Sequence, residues 1–319
     1  MRPVPISLQR ILCPTDFSLF SVRALRHAAT LARLFRAELT VLHVIPTFPP
    51  YGAESPYYAM PVWTGPGLRR DAEEEMGRFV QSARELGVSL ESKIGEGRPA
   101  QEIQALATAL PADLVVMGTH GQSGFERLLL GSVTERLLHR LSCPVMTVCH
   151  EEGRTWEAPG LVRRILCPTD FSESSARTIA FALSLAAAKQ AHVTLLHVIE
   201  ALPEATAHFP RFPEGLRREL ELRAGEQLHD LVPAEARGTV EIEERVTSGR
   251  AYREILRAAA TSDFDLIVMG IHGRGPLGGM ILGSTAHHVV REATCPVLTV
   301  RPTAIQKAAL AEPTALGVS

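Results

Sequence analysis

The chain has 319 residues, 45% of them hydrophobic, and its 33 Lys and Arg against 35 Asp and Glu leave a formal charge of −2. So even a balance offers no footprint for nucleic acid or an anionic lipid surface, which argues against both as partners. No run of 18 apolar residues occurs, and the opening "MRPVPISLQRILCP" is too short in hydrophobic residues for a signal peptide, so the expected location is a reducing cytoplasm.

In chain order, "RILCPTD" reads as a short apolar strand closing at Pro14, and Ser18 can cap the helix "LFSVRALRHAATLARLFR". "ELTVLHVI" is a β-branched, buried strand. A Pro-, Gly- and Tyr-rich loop over 46–67 leads to a helix predicted from about Leu68 to Leu86. The strand "VSLESKI", the helix "PAQEIQALATAL", the strand "DLVVMG", a helix from Ser132 to about Leu141 and the strand "PVMTVC" follow. Strands apolar on both faces and separated by helices predict a parallel sheet covered on both sides.

The same order then returns. "ILCPTDFS" stands at 11–18 and again at 165–172, "TVLHVI" answers "TLLHVI", "DLVVMGTHG" answers "DLIVMGIHG", and "CPVMTV" answers "CPVLTV". The chain is therefore read as two homologous domains, 1–150 and 163–303, with a charged linker at 151–162 and a frayed tail at 304–319. Cys13 and Cys167 are copies, as are Cys143 and Cys295; they sit in or beside apolar strands, where a thiol acts as a small hydrophobe. No C-x-x-C or Cys/His ligand spacing appears, so structural zinc and a thioredoxin-type centre are not expected, and no metal-ligand set is assigned.

Ligands of such sheets bind beyond the carboxyl ends of the strands where strand order reverses. Two turns stand out there: Pro14-Thr15-Asp16, and a glycine-rich turn running Gly118-Thr-His-Gly121, nine residues, then Gly131-Ser132. The second copy has Gly270-Ile-His-Gly273, nine residues, then Gly283-Ser284. Glycine lets the main chain approach a ligand, and Gly-Ser opening a helix presents free amides to an anion. Ser132 with Glu135 also fits a capping box, which would satisfy those amides without a ligand. No lysine follows the last glycine, which excludes a P-loop, and the spacing disfavours NAD.

These motifs, in this order and present twice, resemble the universal stress protein family, here as a tandem two-domain member, over roughly 8–150 and 163–302. The resemblance implies an α/β fold of two doubly wound domains, each a five-stranded parallel sheet of order 3-2-1-4-5 with helices on both faces. It also implies ATP or another adenine nucleotide at the switch point, with Mg2+ as a companion. Carried over by position, Pro14, Thr15, Asp16 and Val44 would line the nucleoside end, and Met117 belongs to the same nucleotide-binding set. Gly118 and Gly121 would meet the ribose and α-phosphate, and Gly131, Ser132 and Val133 the outer phosphates. The second copy offers Pro168, Thr169, Asp170, Val198, Met269, Gly270, Gly273, Gly283, Ser284 and Thr285. In the family the last strands pair between subunits, which implies an intramolecular pseudo-dimer here, with a homodimer and an unidentified protein partner as further associations.

Plainer roles stand beside these. Asp16 and Asp170 can cap the next helix or form Asx-turns. His43, His197, His120 and His272 lack a paired acid and a nucleophile, and read as structural. Arg127 and Arg274 can reach phosphate but occupy non-equivalent positions. The extra glycines of "GRGPLGGMIL" predict weaker binding in the second copy, since each costs roughly 0.5–1 kcal/mol of ordering entropy. The function expected is nucleotide-dependent regulation of a stress response with little turnover and no catalytic residue. The alternatives are a slow ATP-hydrolysing or adenylyl-transferring enzyme, and a ligand-free scaffold; the loops' lack of lysine argues against efficient phosphoryl transfer.

Overall fold

A computed structural model describes residues 8–47, 66–121, 130–149, 162–200, 214–271 and 282–301. The linker except Val162, the tail, the loops between the second strand and second helix of each copy, His272, Gly273, Arg127 and Arg274 lie outside the described residues. The chain divides into two compact units, one built from Leu8–Gly160 and one from Leu161 onward.

In the first unit, β1 (Arg10–Thr15), β2 (Glu38–Pro46), β3 (Leu90–Gly97), β4 (Leu114–Gly118) and β5 (Val145–Val148) alternate with helices. These are α1 (Leu19–Phe35), α2 (Pro66–Phe79), α3 (Gln81–Glu85), α4 (Pro99–Ala109) and α5 (Ser132–Arg140). The strands run in the order β3-β2-β1-β4-β5, all parallel. The second unit comprises β6 (Arg164–Thr169), α6 (Glu173–Lys189), β7 (His192–Ile199), α7 (Glu214–Leu231) and α8 (Ala234–Arg237). It continues with β8 (Ile242–Ser248), α9 (Ala251–Thr261), β9 (Leu266–Gly270), α10 (Ser284–Glu292) and β10 (Val297–Val300), in the equivalent order β8-β7-β6-β9-β10.

The central strands carry the core of each unit. Leu12, Cys13, Val115 and Val116 are fully buried, as are Leu166, Cys167, Ile267 and Val268. Burial pushes the thiols of Cys13 and Cys167 up to about 12, so both remain neutral hydrophobes at physiological pH. None of the five cysteines is in a disulfide.

α1 begins where expected: the Ser18 side chain accepts a hydrogen bond from the Ser21 amide. It ends at Arg36, which adopts left-handed backbone with φ 54, and Gln190 repeats this with φ 53. A glycine would normally occupy such a position. The single helix expected over 68–86 is two helices, because at Val80 the chain tightens to an i→i+3 bond, the Ala83 amide donating to the Val80 carbonyl at 3.1 Å. Val80 is fully buried there, so side-chain packing sets the break.

β1 also runs one residue beyond its expected end, through Pro14 to Thr15. Its ladder with β2 extends to Thr15 opposite His43, whereas its ladder with β4 registers only Ile11 with Leu114 and Leu12 with Val115. The two strands have parted by Pro14, whose imide nitrogen has no hydrogen for a neighbour. β6 and β9 part at the same place, after Leu166 opposite Ile267. At the other end of these strands, Asp113 Oδ2 accepts from the amides of Gln9 and Arg10 at 2.8 and 2.9 Å, joining the start of β4 to the start of β1. Asp265 does the same with Arg163 and Arg164.

Candidate functional site

β1 and β4 part at their carboxyl ends, where the strand order reverses and where sheets of this kind have their crevice. The Pro14-Thr15-Asp16 turn forms one wall. Thr15 Oγ1 accepts from the Phe17 amide at 2.9 Å, and Asp16 Oδ1 accepts from the Ser18 amide at 3.1 Å. Between them these bonds hold Phe17 in left-handed backbone, φ 63, which a bulky side chain seldom adopts. Phe171 repeats it with φ 61. Strain of this kind costs of order 1–3 kcal/mol and persists only where the surroundings over-determine it.

The plainer reading of Asp16 is thus realised, since the Asx-turn forms, yet it engages one carboxylate oxygen. Oδ1 also accepts from Ser21 Oγ at 2.6 Å. Asp170 Oδ1 gathers three donors: the Ser172 amide at 3.0 Å, Ser172 Oγ at 2.6 Å and Ser175 Oγ at 2.5 Å. Burial raises the Asp170 carboxyl, but the bonds from Ser172 and Ser175 outweigh it and hold the group below the ordinary aspartate value.

The glycine turn forms the opposite wall. A Cβ placed on Gly121 would stand 2.5 Å from Asp16 Oδ2, so the second oxygen of that carboxylate faces the turn at contact distance. The two motifs meet across the gap between β1 and β4. Gly118 has a different reason to be glycine: a Cβ there would lie 2.8 Å from Phe20 Cβ, so close packing of α1 on β4 requires it. Gly131 is the N-cap of α5, and its amide donates to the Thr119 carbonyl at 2.9 Å. Gly283 caps α10 and donates to the Ile271 carbonyl at 3.0 Å.

The capping box expected from Ser132 and Glu135 does not form. Ser132 is the first helical residue rather than the cap, and Gly131 and Gly283 have no side chain to offer the first-turn amides. Those amides are the groups that bind an anion at a helix start. The first unit adds a tether that composition does not reveal: Thr134 Oγ1 donates to the Gly118 carbonyl at 2.9 Å, binding α5 to the end of β4.

Val44, Met117, Val198 and Met269 are buried close to the strand ends. Ser132 and Ser284 are exposed, and Val133 and Thr285 partly so. Gly270 ends β9, while Gly273 is outside the described residues. The strand-end histidines carry structural bonds. His43 Nδ1 lies 2.9 Å from the Thr15 carbonyl, and His197 Nδ1 lies 2.9 Å from that of Thr169. A carbonyl only accepts, so Nδ1 holds the proton in both rings. Phe17 stacks on His43 at 4.3 Å and Phe171 on His197 at 4.0 Å. Among the described residues, no group of three or more His, Cys, Asp or Glu side chains converges as a metal site. No helix among them is long and apolar enough to cross a membrane.

Sequence reasoning missed one further repeated feature, also at the carboxyl ends of strands. Gly97 has φ 145, and a Cβ on it would stand 2.9 Å from Glu102 Oε1; Gly249 has φ 151 and the same relation to Glu254. The recurring spacing in "GRPAQE" and "GRAYRE" was the available signal.

The fold is that of a duplicated, doubly wound α/β protein, whose first copy sets an acidic turn against a glycine turn. The chain belongs to the universal stress protein family, whose family model matches residues 7–148 and 162–301. It is 37% identical over 145 residues to a universal stress protein of Methanocaldococcus jannaschii, covering 44% of this chain and 81% of that one. A universal stress protein of Mycolicibacterium smegmatis is 29% identical over 298 residues, covering 92% of this chain and 97% of its own. The crystal structure of a universal stress protein from Archaeoglobus fulgidus has the same fold, with TM-score 0.65 at 24% identity over 92% of this chain and 98% of that one.

Proposed function

We propose that the crevice of each unit binds an adenine nucleotide, ATP or AMP, and that occupancy regulates a stress response in the cytoplasm with little or no turnover. The observation that carries this reading is the approach of Gly121 to Asp16 Oδ2, which sets a carboxylate beside a main-chain turn where β1 and β4 have parted. The helix starts at Gly131 and Gly283, without side-chain caps, fit a phosphate chain. Pro14, Thr15, Asp16, Val44 and Met117 would hold the nucleoside, Gly118 and Gly121 the ribose and first phosphate, and Gly131, Ser132 and Val133 the outer phosphates. Pro168, Thr169, Asp170, Val198, Met269, Gly270, Gly273, Gly283, Ser284 and Thr285 would do so in the second unit.

Magnesium fits only as a companion of the phosphates. It is commonly held by one or two carboxylates plus substrate oxygens, and among the described residues Asp16 is the carboxylate placed against the glycine turn of the first unit. Duplication within one chain also makes an intramolecular pseudo-dimer of the two units part of this proposal, with 151–162 as the linker. Sedimentation of the full chain measures whether a homodimer forms in addition.

The test is to denature the purified protein, identify any nucleotide released, and titrate the emptied protein with ATP, ADP, AMP and cyclic AMP by calorimetry. An adenine nucleotide bound at up to two per chain supports the proposal; no heat with any of them leaves a scaffold acting through protein contacts. Phosphate release clearly above background, and lost in Asp16→Ala, would favour an enzyme.

A further inference from the structure

Both aspartate turns contain a buried serine that neither the motifs nor the family resemblance assigns. Ser21 is 4% exposed and Ser175 is 6% exposed, each in the first turn of the helix that follows its aspartate. Each hydroxyl bridges two parts of one residue. Ser21 Oγ accepts from the Asp16 amide at 3.3 Å and donates to Asp16 Oδ1 at 2.6 Å. Ser175 Oγ accepts from the Asp170 amide at 3.2 Å and donates to Asp170 Oδ1 at 2.5 Å.

A hydroxyl has one proton and two lone pairs, so a single side chain can meet both demands. The result is a small ring that sets the backbone and the carboxylate plane of the aspartate together. In the first unit, Oδ1 is turned towards the helix start and Oδ2 faces Gly121. An aspartate left to a surface rotamer would hold no such orientation. The hydroxyl also favours the ionised carboxylate, because it donates to an oxygen that carries charge.

We propose that Ser21 and Ser175 are positioning residues that aim the Asp16 and Asp170 carboxylates, ionised, at the nucleoside end of a bound nucleotide. The proposal rests on the nucleotide reading above, but its structural half can be measured without ligand. The serines touch no nucleotide themselves; they act through the aspartates.

The full-length protein is compared with three variants: Ser21→Ala with Ser175→Ala, Asp16→Asn with Asp170→Asn, and all four changes together. Calorimetric titration with ATP should show the serine pair weakening binding about tenfold, the loss of one hydrogen bond to a charged group at each site. In the asparagine background, removing the serines should add little, because the carboxylate they aim is gone. Equal losses in both backgrounds would overturn the proposal, since the hydroxyls would then act independently of the aspartates.

A second readout needs no nucleotide. Carbon-13 titration of the side-chain carboxyl should show Asp170 ionising at higher pH in Ser175→Ala than in the native protein, with the lower midpoint recovered in Ser175→Thr. An unmoved midpoint refutes the positioning role whatever the binding data say. If the midpoint moves while the native protein takes up no ATP, the serine ring stands and the nucleotide reading falls. Should the alanine pair not fold, Ser175→Cys, close in size but a weak donor, replaces it with the same expectations.

Discussion

The two units share a backbone plan where their central strands part and differ in the hydroxyls placed around it. In the first unit the glycine turn is held by hydroxyls: Thr119 Oγ1 lies 2.9 Å from His120 Nδ1 and donates to the Val148 carbonyl at 3.3 Å, and Thr134 ties α5 to β4. The corresponding residues of the second unit, Ile271 and Ala286, have no hydroxyl. In the second unit Ser172 Oγ donates to Asp170 at 2.6 Å, whereas Ser18 Oγ points to Ser21 Oγ at 3.4 Å. A duplicated turn can thus keep its motif letters and change the hydroxyls that hold it. On the proposed nucleotide reading, grip at the phosphate end depends on the glycine turn, so the first unit is expected to bind more tightly.

The largest effect expected on that comparison comes from closing each helix start. A Cβ on Gly131 would already stand 3.1 Å from the Thr119 carbonyl, so Gly131→Val should remove ATP uptake by the first unit and Gly283→Val that by the second. Calorimetry should find the stoichiometry halved in each. The site surviving in Gly283→Val should be the tighter, and the opposite order would reverse the ranking.

Next in size is a stability effect far from the crevice and equal in both units. Asp113→Ala and Asp265→Ala each strip a carboxylate from two backbone amides and should cost about 2 kcal/mol in urea-induced unfolding. A much larger loss in one unit would show that the bracing difference extends through the strands to their amino ends.

The hydroxyl tether can be moved between units. Thr134→Val should weaken the first site by about 1 kcal/mol, roughly fivefold in ATP affinity, and Ala286→Thr should strengthen the second by a similar factor. If neither changes affinity, the tether serves packing alone. The smallest effects belong to the helix ends: Arg36→Gly and Gln190→Gly relieve left-handed backbone at non-glycine residues. Each should raise thermal stability by about 1 kcal/mol in differential scanning calorimetry, without altering nucleotide affinity.

Much of this architecture was legible because its signals are local. Ser18 announced the start of α1, continuous apolar runs announced the strands, and the near-verbatim repeat announced two units. The reading failed where packing overrode the local signal. Val80 breaks a continuous helical pattern because it is buried, and Ser132 forms no capping box because Gly131 takes the cap position. Pro14 looked like a strand end, yet β1 runs through it, since β4 has already turned away. Gly118 was legible as a special residue but not for its reason, which is the closeness of Phe20.

The amino-acid sequence by itself determined the duplication, the alternation of strands and helices, and the candidate turns, because periodicity, capping and turn chemistry act over a few residues. Only the tertiary structure decided that Asp16 faces Gly121, that Asp113 joins β4 to β1, and that Ser21 orients the neighbouring carboxylate. Those relations depend on which strands become neighbours, and that order is set by burying the faces of elements distant in the chain. No spacing along one segment encodes it.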